Sequence, residues 1–173
     1  GLLSGTVGIT NTVNTIALSG TDVLVGGAFL GAGGVTGADY IARWNGTTWS
    51  GLLSGTLGIN SAVETIAISG TDVYVGGNFF DAGGVTGANS IARWNGSTWN
   101  AVGPTPSITG TVTTIAISGT DVYVGGFFTD AGGNPNADNI ARWDGTNWNA
   151  LGTGISGFGF SVNAIAISGN NVY

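Results

Sequence analysis

The chain is 173 residues long, 42% hydrophobic and only 7% charged, with three arginines, no lysine, nine carboxylates and a net charge of −6. That balance excludes a nucleic-acid binder, which needs clustered Lys and Arg to displace counterions from phosphates, and it disfavours an anionic membrane surface. With neither Cys nor His, the chain also lacks disulfides, thiolate or imidazole metal sites, and thiol or Ser/His nucleophiles.

Residues 1–50 align without a gap on residues 51–100 at 36 of 50 positions; a third copy runs one residue shorter and a fourth begins. Tandem units of this length form solenoids, propellers or arrays, because one unit alone cannot bury its apolar face and must stack on its neighbours. In chain order, Gly1 to Thr6 repeats as Gly51 to Thr56 and reads as the end of a strand D with its link. Val13 to Leu18 alternates, is rich in β-branched residues and recurs at Val63 to Ile68, Val112 to Ile117 and Val162 to Ile167, which predicts strand A. Ser19-Gly20-Thr21-Asp22 supplies turn residues, and Val23 to Gly27 resumes an extended pattern as strand B, closing an A–B hairpin. After Phe29 a small-residue loop over 31–38 leads to strand C, Ile41 to Trp44. Asn45-Gly46 then predicts a two-residue type I′ turn, pairing Trp44 with Thr47 and Ala42 with Trp49; both tryptophans fall on one face and Arg43 on the other. Strand D is expected to continue through Leu53.

Four short antiparallel strands per unit, with no helical periodicity, predict an all-β fold: a β-propeller of about 50-residue, four-stranded antiparallel blades, about 3.5 of them in this chain. The divisions are strand D of a preceding blade plus link over 1–11, blades over 12–61, 62–110 and 111–160, and strand A with the start of B of a fourth over 161–173. Val25-Gly26-Gly27, Val75-Gly76-Gly77 and Val124-Gly125-Gly126, each followed by a tryptophan pair, resemble the kelch-like propeller repeat. The Ile-Ala-Arg-Trp-Asn-Gly stretch at 41–46 is also similar to kelch-related repeats of secreted bacterial surface proteins, a resemblance that implies a bacterial cell-surface module. The chain begins without Met, so it reads as a mature form or an excerpt. Propellers close with about four to eight blades. The expectation is therefore a window on a longer repetitive chain, two copies completing a ring, or repeats stacking onward into a filament.

Only carboxylate chemistry is open to a chain without His, Cys or Lys, and near-identical blades do not build one asymmetric active site, so no catalysis is expected. Asp144 to Trp148 has the wrong spacing for the Asp box of sialidase propellers and aligns with the hairpin turns at Asn45-Gly46 and Asn95-Gly96. Asp22, Asp72, Asp121 and Asn171 recur at one position after a glycine, where holding the turn is the plainest role. Arg43, Arg93 and Arg142 occur once per repeat, suited to satisfying carbonyls or an Asp between blades. Trp44, Trp49, Trp94, Trp99, Trp143 and Trp148 suit interblade packing better than sugar stacking, because each pair shares a face.

The B–C loops differ most between copies, which points to Asp81, Asp130, Asn134 and Asp138 as candidate ligand-binding residues. Asp130 and Asp138 could offer oxygens to Ca²⁺, but their spacing is not that of an EF-hand, and no metal or other cofactor is assigned. The sequons at Asn45 and Asn95 are explained by the turns. No apolar run approaches the ~20 residues of a membrane-spanning helix, and no signal peptide stands out. A Lys-free surface of Thr, Ser, Asn and Gly without oxidisable sulfur suits an extracellular or cell-surface scaffold. Its expected partners are a protein or glycan at that surface, further repeats of the same chain or another copy; alternatives within this class are a self-assembling subunit and a lectin-like propeller with one weak site per blade.

Overall fold

A computed structural model, describing residues 8–105, 107–155 and 159–173, turns the repeat into three four-stranded antiparallel sheets and a terminal hairpin. Most of the strand expected over 1–11 therefore lies outside the described residues. Blade 1 comprises β1 (Val13–Ser19), β2 (Asp22–Gly27), β3 (Ile41–Trp44) and β4 (Trp49–Gly51). Blade 2 comprises β5 (Val63–Ser69), β6 (Asp72–Gly77), β7 (Ile91–Trp94) and β8 (Trp99–Ala101). Blade 3 comprises β9 (Thr109–Ser118), β10 (Asp121–Thr129), β11 (Ile140–Trp143) and β12 (Trp148–Ala150). The hairpin pairs β13 (Ile167–Ser168) with β14 (Asn171–Val172). Each sheet uses consecutive strands in chain order, the arrangement of a propeller blade.

The A–B hairpins close through two-residue turns whose first residue is glycine at positive φ, 62° at Gly20 and 60° at Gly70. The C–D turns differ from the expected type I′ form. The ladder pairs Trp44 with Trp49, Arg43 with Ser50 and Ala42 with Gly51, so the loop has four residues rather than two. The cause is the Asn45 side chain, whose Oδ1 accepts from the backbone N–H of Thr47 at 3.0 Å and of Thr48 at 2.8 Å and builds an Asx turn. The register moves by two residues, which preserves the face of every side chain. Strand D stops at Gly51, short of Leu53, because the Leu52 carbonyl accepts instead from the Trp99 indole N–H at 2.9 Å.

Strand A carries a bulge that leaves Asn14, Glu64 and Thr113 without a partner in the ladder of strand B. Two of these side chains reach the next blade: Asn14 donates to the Val63 carbonyl at 3.1 Å, and Thr113 to the Val162 carbonyl at 2.7 Å. The fourth strand A was expected from Val162 but is a strand only at Ile167–Ser168.

Period-two alternation gives each blade two faces. Ile16, Leu18, Val23, Val25, Trp44 and Trp49 share one, and Leu24, Gly26, Ile41 and Arg43 share the other. The second face of each blade meets the first face of the next. A methyl group at Gly26 would stand 2.6 Å from Val63 Cγ1, one at Gly76 2.5 Å from Val112 Cγ1, and one at Gly125 2.6 Å from Val162 Cγ1. The first glycine of each Val-Gly-Gly is thus the socket for the strand A valine of the following blade, and Val63 and Val112 are fully buried there. Burial of each valine is worth about 1.5–3 kcal/mol.

Gly76 does not need positive φ, so Gly76→Ala tests close packing without backbone strain, against Val112 of the next blade and, at 2.8 Å, against Thr65 Cγ2 of its own sheet. Overpacking of this kind costs roughly 1–3 kcal/mol. Val112→Ala alone should also destabilise, while the double variant should lose less than the sum of the two in denaturant unfolding. Strictly additive losses would show that the glycine and the valine do not meet.

Candidate functional site

The A–B and C–D turns of a blade lie at one end of its antiparallel sheet and the B–C loop lies at the other. At the A–B/C–D end, Asp22 opens β2 and Arg43 sits in the middle of β3 on the face turned toward the next blade. Arg43 Nε donates to Asp22 Oδ2 at 2.6 Å, and Nη2 lies 2.6 Å from the same oxygen as an ion pair. Equivalent pairs stand in the other blades, Arg93 with Asp72 at 3.4 Å and Arg142 with Asp121 at 3.3 Å. The arginine therefore bridges two strands of its own blade rather than two blades. The carboxylate binds that arginine, and among the described residues it takes no hydrogen bond from its turn. Both differences have one cause: as the first residue of strand B, Asp22 shares a face with the neighbouring strand C. The arginine side chains remain 38–52% exposed, so each pair contributes about 0–1 kcal/mol.

The next blade completes a crevice over this pair. A cavity of about 280 Å³ is lined by Asp22, Arg43 and Leu24 from blade 1 and by Thr71, Val73 and Trp94 from blade 2. The same register positions line a second cavity of about 280 Å³ between blade 3 and the terminal hairpin, with Asp121, Arg142 and Tyr123 facing Asn170 and Val172. The crevice thus recurs at two of the three Asp–Arg pairs, the second time without a tryptophan wall.

The tryptophans pair across strands C and D at centroid separations of 5.4, 5.3 and 5.5 Å for Trp44/Trp49, Trp94/Trp99 and Trp143/Trp148. Trp99 and Trp148 are buried and donate from Nε1 to the preceding blade, to Leu52 O at 2.9 Å and to Val102 O at 3.2 Å. Trp94 is half-buried and forms one wall of the crevice.

Asp81, Asp130, Asn134 and Asp138 lie at the opposite end of the blades. Asp81 Oδ1 accepts from the Gly84 N–H at 2.6 Å, Asp138 Oδ1 from the Asp130 N–H at 2.9 Å, and Asn134 Oδ1 from the Asn136 N–H at 3.1 Å. Asp130 itself adopts a left-handed conformation, φ 51°. Three of these side chains thus close loops, and among the described residues no three acidic, His or Cys side chains gather as a metal site. The structure does not bring this group to the crevice. The crevice's signal was present in the sequence as an Asp and an Arg 21 residues apart in every copy, but only the sheet register makes that separation a contact. Neither protein-family models nor curated proteins match the chain.

The C–D turn at the rim of the crevice titrates in one blade only. Asp144 takes the place of Asn45 and Asn95, and its carboxyl is held below the ordinary range by hydrogen bonds from the Asn147 and Thr146 N–H groups, then by Asn149 and by the charge of Arg142. A carboxyl lowered in the folded state stabilises its turn above the unfolded pKa of about 3.9, and this contribution is lost as pH falls through the lowered folded value. Amide NMR in an acid titration should show this turn loosening while those at Asn45 and Asn95 stay unchanged, and Asp144→Asn should remove the difference. Trp99→Phe should cost about 1–3 kcal/mol beyond its lost volume, because the buried Leu52 carbonyl loses its donor. Trp49→Phe, whose Nε1 has no partner among the described residues, should lack that penalty in chemical denaturation.

Proposed function

We propose that this chain is a non-catalytic extracellular or cell-surface module, a scaffold of kelch-like blades that binds its partners through repeated surfaces and associates with other copies through its first blade. The free face of blade 1 carries the reading. Val13, Ile16 and Leu18 are 39%, 65% and 70% exposed, whereas Val63 and Ile66, at the positions of Val13 and Ile16 in blade 2, are 0% and 9% exposed because blade 1 covers them. An apolar groove of about 360 Å³ runs over this face between Ile9, Val13, Ile16, Val25, Trp44 and Trp49. At its edge the buried Trp49 Nε1 has no acceptor among the described residues, where Trp99 and Trp148 each have a carbonyl from the neighbouring blade. The face has the apolar shape of a blade interface, so its natural occupant is the glycine-socket face of another blade of this repeat. The few charges and abundant Thr, Ser, Asn and Gly support an extracellular setting. Among the described residues no helix is long and apolar enough to cross a membrane.

Light scattering with negative-stain microscopy tests the association. Particles heavier than one 17.1 kDa copy, as discs or filaments, are expected, and Ile16→Asp should return them to single copies. Ile16 is exposed, so the variant should keep its fold. A chain that stays at the mass of one copy as concentration rises would overturn the self-association.

A further inference from the structure

We propose that the crevice between successive blades is a binding site for one neutral saccharide unit, present at the Asp22–Arg43 pair and again at the Asp121–Arg142 pair. The inference deepens the scaffold reading by naming a ligand class, and it stands apart from association through blade 1, since the crevices lie within the chain.

The polar groups come first. Arg43 holds Asp22 Oδ2 with its Nε hydrogen bond and its Nη2 charge. Among the described residues, Asp22 Oδ1 and Arg43 Nη1 have no hydrogen-bond partner. The pair thus presents an unused acceptor beside an unused donor nitrogen; at Asp121–Arg142 the bond runs through Arg142 Nη1 instead, which leaves the other guanidinium nitrogens of that pair to donate. Adjacent hydroxyls on a sugar ring can donate to the carboxylate and accept from the guanidinium. The Ser19 and Thr71 hydroxyls add adaptable partners on the two sides of the interface.

The walls come second. The half-buried Trp94 of the following blade gives the crevice an apolar side to set against its polar side, over a floor formed by the buried Val73 and Leu24. A saccharide ring has the same duality, with C–H groups on its faces and hydroxyls at its edge, and aromatic surface packs against such faces.

Charge and size narrow the class. The pair is neutral as a unit in a chain of net charge −6, so the Asp22 carboxylate repels phosphate or a carboxylate ligand and the Arg43 guanidinium repels a metal cation. A volume of about 280 Å³ falls at the small end of ligand pockets, which begin near 300 Å³, and suits one ring rather than a peptide. An open site of this size binds weakly by itself. Repetition at fixed spacing lets several such sites engage one polysaccharide, and avidity then rises without any new contact.

The test is saturation-transfer NMR on the Ile16→Asp variant, which keeps crevice binding separate from self-association. The probes are the methyl glycosides of glucose, galactose, mannose and fucose, with inorganic phosphate and calcium chloride as controls read by amide chemical-shift changes of the protein, since neither carries carbon-bound protons. Transfer to at least one glycoside is expected, with a dissociation constant in the millimolar range. Replacing Arg43, Arg93 and Arg142 together by Met should weaken it at least tenfold. Arg43→Met alone, which alters one half-exposed pair, should lower the number of sites by one and provides the answer if the triple variant does not fold. Asp22→Asn keeps an acceptor and should weaken that site less than Asp22→Ala. No transfer from any glycoside, transfer unchanged in the arginine variants, or binding of phosphate alone would overturn the proposal. In each of those cases the mass measurement on the unmodified chain still decides the association through blade 1.

Discussion

Everything in this molecule depends on how closely one sheet approaches the next at a single glycine. Gly26, Gly76 and Gly125 present bare backbone to Val63, Val112 and Val162, at separations a side chain on the glycine would not permit. Because the valine enters a socket rather than resting on a flat sheet, the offset between blades is set at one point, and the remaining contacts follow from it. Leu24 and Tyr74 are sealed beneath the following blade, and the strand D tryptophans come within reach of carbonyls that their own sheets leave free. The second glycine of each pair serves its own sheet: a Cβ at Gly27, Gly77 or Gly126 would run into the backbone carbonyl of Thr12, Ala62 or Thr111 beside the strand A bulge.

The polar groups follow an equally economical pattern. With so few charges, the chain satisfies its turns with amide and hydroxyl side chains: Asn45, Asn95 and Asp144 cap the C–D turns, while Asp39, Asp81 and Asp138 close B–C loops. Buried Asn139 and Ser90 donate to the Ile155 and Gly110 carbonyls across the loops. Groups spent on backbone in this way are not available for chemistry. The Asp–Arg pairs differ because their bond leaves oxygen and nitrogen atoms unused at an open interface.

A repeated interface also explains why function and architecture are hard to separate here. Stacking of near-identical blades copies every surface feature at a constant interval, so a weak crevice becomes a row and an uncovered end face becomes a potential joint. Both features arise from the same two faces of the blade. The face that buries Val63 between blades is the one that leaves Val13 and Ile16 open on blade 1. The face that carries Gly26 is the one that carries Arg43.

Much of this architecture was legible before any coordinates. Tandem identity, β-branched alternation and glycine-centred turns were enough for four-stranded antiparallel blades and the common face of Trp44 and Trp49, because those properties depend on local periodicity and a face survives a register shift of two. What local pattern could not supply was competition among partners for the same group. The Asn45 side chain takes the turn amides and lengthens the hairpin, and the Leu52 carbonyl leaves strand D for an indole 47 residues away. Asp22 likewise turns to Arg43 across the sheet rather than to its own turn. The B–C loops drew attention because they vary, yet three of their candidate side chains close loops, and the crevice lies at the other end of the blades. Local sequence determined the blade; only the packing of one blade on another decided which polar groups were consumed, which remained free, and where they meet, because each of those outcomes depends on atoms brought together from different repeats.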